Sequence, residues 1–217
     1  MTRMGLTIAV AGLGLLGAGT ARGEGFQALV GREGRVALSR GKEKIGEFGA
    51  GLFNQKWDSA QAAADPRKPD TADKRHLRIA VPGGGEVTGW AMIAGEADGL
   101  NAQYVFTPEQ DVVLNSLHVS VEFSIPTLAG GRWTADQRSG TFPPEFGEVQ
   151  LFTGSIHTLA IDLPAGGNLR WTFPEPTSVL VQDNRRWGQS FSVRIFRSAK
   201  PPQPTWSAPA RPRSACS

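Results

Sequence analysis

The chain has little of what metal and redox chemistry requires. Its single cysteine, Cys216, precludes an intramolecular disulfide and a cysteine-rich zinc site. Three scattered histidines, His76, His118 and His157, are too few and too dispersed for a histidine metal centre, so neither a metal nor a cofactor is expected. The sequence holds no Walker loop, dinucleotide fingerprint, HExxH pair, EF-hand loop or Gly-x-Ser-x-Gly elbow. Beyond residue 18 no apolar run is long enough to cross a bilayer as a helix. A basic surplus is missing as well, once the ends are set aside. Taking the two arginines of residues 1–23 and the four basic residues of 197–217 from the 23 Lys and Arg leaves 17, against 20 acids. The pI of 9.3 is thus made at the termini. The middle of the chain lacks the positive field that nucleic acid demands, and no nucleic-acid partner is expected.

What is present is punctuation and alternation. Glycine (27) and proline (15) imply many turns and few long helices. Leu117 to Ile125 reads LHVSVEFSI, apolar and polar in strict alternation, which gives a strand one buried and one wet face. His157 to Leu163, Leu169 to Phe173 and Ser190 to Ile195 repeat the pattern, the first two stopping at Pro164 and Pro174. Ala165-Gly166-Gly167-Asn168 and Pro82-Gly83-Gly84-Gly85 sit between such runs as hairpin loops should. Alternating strands without helical runs between them predict an all-β fold, an antiparallel β-sandwich. Its expected extent is residues 24–196, with a core over 77–196 and N-terminal strands within 26–53, where glycines and charges suit an edge. Residues 53–76, rich in alanine but broken by Pro66 and Pro69, are expected to be a loop with one helical turn at most.

The ends read differently. Residues 1–23 combine Arg3, an uncharged Gly/Ala-rich apolar run from Met4 to Ala18, and the small-x-small site Ala21-Arg22-Gly23. That is the anatomy of a secretory signal peptide, and it predicts a secreted or periplasmic protein with no membrane association once it is removed. Residues 197–217 hold five prolines, four basic residues and no acid, a composition that cannot bury enough surface to order itself. They are expected to be a disordered tail. The same composition fits a shifted reading frame or a linker cut short, in which case a C-terminal catalytic domain is the missing partner.

The densest polar constellation is Gln182-Asp183-Asn184-Arg185-Arg186-Trp187-Gly188, between two strands. Amides and carboxylates bridge sugar hydroxyls, and an indole covers a sugar ring, so Asp183, Arg185 and Trp187 are candidate ligand-binding residues. The alternative is a turn held by Asp and Asn, with Trp187 plugging the end of the sandwich. Trp133, following Gly130-Gly131-Arg132, is a fourth candidate, expected on a loop. Glycosidic hydrolysis needs two carboxylates about 5–10 Å apart. Many acids are available, including Glu86, Glu96, Glu122 and Asp183, and no spacing singles out a pair, so no catalytic residue is assigned.

From about Ile93 to Phe196 the chain resembles the β-rich accessory modules of secreted bacterial polysaccharide-degrading proteins. The resemblance is carried by Gly99-Leu100-Asn101-Ala102-Gln103-Tyr104-Val105-Phe106-Thr107-Pro108, by Gly131-Arg132-Trp133, and by Val181 to Gly188. It implies a carbohydrate ligand rather than an activity. Three functions follow as expectations: a non-catalytic module that binds polysaccharide, a small glycoside hydrolase or lyase with a carboxylate site, or a structural module of a longer enzyme.

Overall fold

The alternating run around Val121 lies at the centre of a computed structural model that describes residues 6–16, 26–71, 74–96, 99–108, 111–196 and 205–206. In chain order the strands are β1 (Leu6–Leu16), β2 (Phe26–Val30), β3 (Val36–Arg40), β4 (Glu43–Asn54), β5 (Ser59–Gln61), β6 (Ala63–Ala64), β7 (Lys74–Ala80) and β8 (Glu86–Glu96). Then come β9 (Gly99–Pro108), β10 (Val112–Ser124), the helical turn α1 (Ile125–Leu128), β11 (Arg132–Ala135) and β12 (Arg138–Thr141). Last are β13 (Gln150–Asp162), β14 (Asn168–Asp183), β15 (Ser190–Phe196) and β16 (Thr205–Trp206).

Two antiparallel sheets, of ten and four strands, form a sandwich-like arrangement that is not closed into a barrel. The larger runs β2-β3-β4-β10-β15-β14 and continues through β13, β11 and β12, with β5 against β4. The smaller runs β9-β8-β7-β6. β1 hydrogen-bonds to both, setting Leu13 opposite Trp171 on β14 and Leu6 opposite Phe106 on β9. The turns tie the sheets across the interior. The Tyr104 hydroxyl donates to the Gly34 carbonyl at 2.6 Å, and Asn54 Nδ2 donates to the Pro82 carbonyl at 2.9 Å. Both sheets contribute to one core, in which Trp171, Tyr104, Phe106, Phe123, Phe142, Phe173 and Phe191 are fully buried. Phe123 meets Trp171 edge-on at 6.5 Å, and Phe142 meets Phe191 at 5.1 Å, the geometry that aromatic quadrupoles favour.

Strand facing follows the sequence pattern where it matters most. Val119, Val121 and Phe123 point into the core. The opposite row differs from expectation at its start: His118 and Ser120 are buried too, and only Glu122 and Ser124 are exposed. Both glycine loops do make hairpins, and Gly166 and Gly167 adopt φ of 83° and 92°, open to glycine without strain.

Three other expectations change. β4 is an interior strand between β3 and β10, not an edge. Its glycines serve close packing: a Cβ on Gly46 would lie 2.8 Å from the Phe123 ring, and one on Gly49 would lie 2.9 Å from Arg35 Cγ. β14 does not stop at Pro174. Pairing with β13 shifts register between Ile156↔Thr177 and Thr158↔Thr172, so the prolines at 174 and 176 fall where no ladder bond needs their missing N–H. The described residues of 53–76 hold no helix; β5 pairs with β4 and β6 with β7. The cleavage candidate Ala21-Arg22-Gly23 lies outside the described residues. So does the tail, apart from β16, which pairs with Val112 and Val113.

Candidate functional site

The loop after β14 is built on Asn184. Its backbone carbonyl accepts from the N–H groups of Trp187 and Gly188, both at 2.8 Å, and its own N–H donates to the Ser190 carbonyl at 2.9 Å. This closes a tight turn that lifts the Trp187 indole into solvent, 68% exposed. Trp187 therefore does not plug the sandwich. Asp183 and Arg185 do the structural work beneath it. Asp183 is wholly buried, and its carboxylate accepts from the Arg185 backbone N–H at 3.1 Å and from Nε at 3.0 Å. The Arg185 guanidinium goes on to donate to the carbonyls of Pro143 and Pro144, at 2.9 and 2.7 Å. The Asp183 carboxylate raises the Arg185 pKa above its ordinary value. Both groups are committed to holding the loop against residues 143–144, and the buried Asp183 oxygens offer nothing to a ligand.

A second indole, Trp57, faces the same cleft. It sits in the turn between β4 and β5 and is 67% exposed. Asn54 organises that turn: its Oδ1 accepts from the backbone N–H groups of Lys56 and Asp58, each at 2.9 Å. Trp57 itself adopts φ +66°, a left-handed conformation that costs a residue with a Cβ about 1–2 kcal/mol. The surrounding turn holds a strained, bulky, apolar side chain out in water. Strain of that kind concentrates at functional positions. Below it lies Phe53, with ring centroids 5.8 Å apart.

Phe53, Trp57, Gln182, Asn184, Trp187, Gly188, Ser190 and Arg194 line a cleft of about 630 Å³. Two of the lining residues carry buried amide oxygens with no hydrogen-bond partner among the described residues, Gln182 Oε1 and Asn184 Oδ1. Asn184 Nδ2 lies toward Glu122 Oε2 and Ser190 Oγ, at the long limit of 3.5 and 3.4 Å. Glu122 accepts shorter bonds from Ser120 at 2.6 Å and Ser190 at 2.8 Å. Beside the cleft, His118 is sealed between the rings of Phe53, at 5.4 Å, and Phe196, at 5.8 Å. Burial, reinforced by the Arg194 charge, pushes its pKa down to about 3. His118 is therefore neutral at physiological pH, with Nδ1 sharing a 3.0 Å hydrogen bond with Ser116 Oγ.

Of the four residues singled out by sequence, only Trp187 reaches this cleft. Trp133 lies on β11, not on a loop, and is buried. Its ring stacks at a tilt on Phe152 at 5.2 Å and occupies the space that the absent side chain of Gly140 leaves on β12. Trp57 was the missed residue. The signal in the sequence is Asn54-Gln55-Lys56-Trp57-Asp58, an indole among polar turn formers with no alternating apolar neighbours to bury it.

Two other acids share a register position: Glu47 on β4 is the strand partner of Glu122 on β10. Lys44 and Arg35, each bonded to Glu47 at 2.7 Å, hold its carboxyl below the usual range. Among the described residues no cluster of three or more His, Cys, Asp or Glu could hold a metal ion. Compared with known proteins, the chain matches no protein-family model and no curated protein.

Proposed function

We infer that the protein is a non-catalytic, carbohydrate-associated β-sandwich module, acting outside the cytoplasm and binding a polysaccharide chain between Trp57 and Trp187. One observation carries this reading: two strongly exposed tryptophans, each presented by a turn built for it, flank a cleft whose wall is made of amides, a serine and a guanidinium. Indoles cover the apolar faces of sugar rings, and planar polar groups take the hydroxyls. The two unpartnered amide oxygens fit the same ligand. A small turn of Gln182 or Asn184 toward the cleft would exchange an unpaired acceptor for a hydroxyl partner, recovering about 1–3 kcal/mol each. The resemblance of residues 93–196 to accessory modules of polysaccharide-degrading proteins agrees with it.

A hydrolase reading would draw on Glu47 and Glu122. A general acid needs a pKa raised toward neutrality, and Lys44 and Arg35 move Glu47 the other way. A purely structural module would have no use for two indoles held in water.

The test is affinity electrophoresis and calorimetry on a panel of soluble polysaccharides, with the wild type, Trp187→Ala and Trp57→Ala. Binding should weaken by about 1–3 kcal/mol in each variant, the scale of a hot-spot aromatic. Trp187→Ala should leave folding stability within about 0.5 kcal/mol, because the ring is exposed. Retention by no polysaccharide, or binding indifferent to both substitutions, would remove the proposal.

A further inference from the structure

Arg194 differs from other guanidiniums of the fold. Arg35 bonds Glu47, Arg67 bonds Asp65 and Glu86, and Arg185 bonds Asp183. Arg194 is half-buried on β15 and lines the cleft, yet among the described residues its side chain has no hydrogen bond and no ion pair. Its contact is with a ring: the guanidinium lies 4.9 Å over Phe53. Glu122 acts on it only as a charge at a distance, its oxygens already taken by Ser120 and Ser190. No carboxylate is among the described residues that line the cleft. A half-buried cation with five N–H donors and no acceptor is costly, and burial accordingly lowers its pKa. The planar fork that remains unfilled matches a carboxylate in shape and charge. A second guanidinium, the exposed Arg186 beside Trp187, likewise has no bond or ion pair among the described residues.

We propose that the polysaccharide is acidic, and that a uronate carboxylate seats on the Arg194 guanidinium while sugar rings along the chain rest on Trp57 and Trp187. This rests on the polysaccharide-binding reading above and narrows it to one class of ligand. A neutral glycan would bury the cation further and still leave its donors without an anion. A uronate supplies the charge and two acceptor oxygens in one group. Glu122 accepts from Ser120 and Ser190 and makes no ion pair with Arg194, so the fork stays open to a ligand.

The full chain is tested at 0.15 M NaCl against polygalacturonate and alginate, each beside its esterified, uncharged form. The wild type should bind at least one of the acids at least tenfold more tightly than its ester. Arg194→Gln should abolish that preference, weakening binding of the acid at least tenfold more than binding of the ester, and Arg194→Lys should restore part of it, since it keeps the charge and loses the fork. If Arg194→Gln does not fold, the acid-to-ester ratio of the wild type decides alone. Equal affinity for acid and ester, or a folded Arg194→Gln that keeps the preference, overturns the acidic assignment and leaves the polysaccharide reading standing. Binding to no acidic, esterified or neutral glycan overturns both.

Discussion

Acidification from pH 7 to pH 5 should destabilise the protein by about 2 kcal/mol through His118 alone. In the folded state His118 titrates at about 3; in the unfolded chain it titrates near 6.5. Between those values the unfolded chain binds more protons, so stability that is full at neutral pH falls as the pH drops. Each pH unit well inside the window removes about 1.4 kcal/mol, and the first half-unit below neutrality removes little. The groups facing the imidazole are the rings of Phe53 and Phe196, the Ser116 hydroxyl and the Arg194 charge, and no carboxylate is bonded to it. The carboxyls of Glu47, Asp65 and Asp136 are also held below their ordinary range, but their unfolded counterparts titrate near 4, so most of their losses come below pH 5. The assay is urea unfolding of the wild type and His118→Phe at the two pH values. Phenylalanine keeps a ring between Phe53 and Phe196 and cannot titrate. The variant should lose about 2 kcal/mol less than the wild type over the interval. An identical loss in both proteins would refute the argument, because it would mean that His118 is already protonated in the fold or is reached by water.

Other outcomes follow from the same structure. Trp57→Gly should be more stable than Trp57→Ala by about 1 kcal/mol, because only glycine occupies φ +66° freely; equal melting temperatures would show that the turn relaxes. Arg185→Ala should lower unfolding free energy by about 3–5 kcal/mol, since it leaves the fully buried Asp183 charge unpaired, and a loss under 1 kcal/mol in urea would show that the loop rearranges around it. Intact mass of the protein expressed with residues 1–23 reports their fate: loss of their mass is the expected outcome for the proposed cleaved leader, while their retention would make β1 a permanent part of both sheets.

The alternation of β10 was legible because one of its faces is a core face, and Val119, Val121 and Phe123 obey it. The glycine turns were legible because positive φ restricts what can sit there. Local signals failed where a distant partner decides. Glycines in β4 look like edge weakness, yet Gly46 and Gly49 make room for Phe123 and Arg35, residues far from one another in sequence. Pro174 looks like a stop, but it falls in a register shift that only the pairing with β13 creates. Asp183 and Arg185 read as a ligand site because their composition is that of one; what reverses the reading is the position of the Pro143 and Pro144 carbonyls some forty residues away. Trp133 and Trp187 follow similar glycine-rich or polar stretches, yet Trp133 falls on the buried face of β11 against the gap at Gly140 while the turn on Asn184 holds Trp187 out.

The place of β1 also sets a schedule. It is made first, yet its partners are β9 and β14, and Leu13 must wait for Trp171. At ribosomal speeds of about 5–20 residues per second, roughly 160 residues of synthesis separate the two, so Leu6–Leu16 spends on the order of 10–30 s without its second neighbour. Closing a loop of that length is also slow compared with forming the hairpins of the rest of the sheet. If residues 1–23 act as the proposed export signal, that interval is when export machinery engages this uncharged apolar segment. On that proposal pairing and recognition compete in time for the same eleven residues, and slower insertion of the strand favours export.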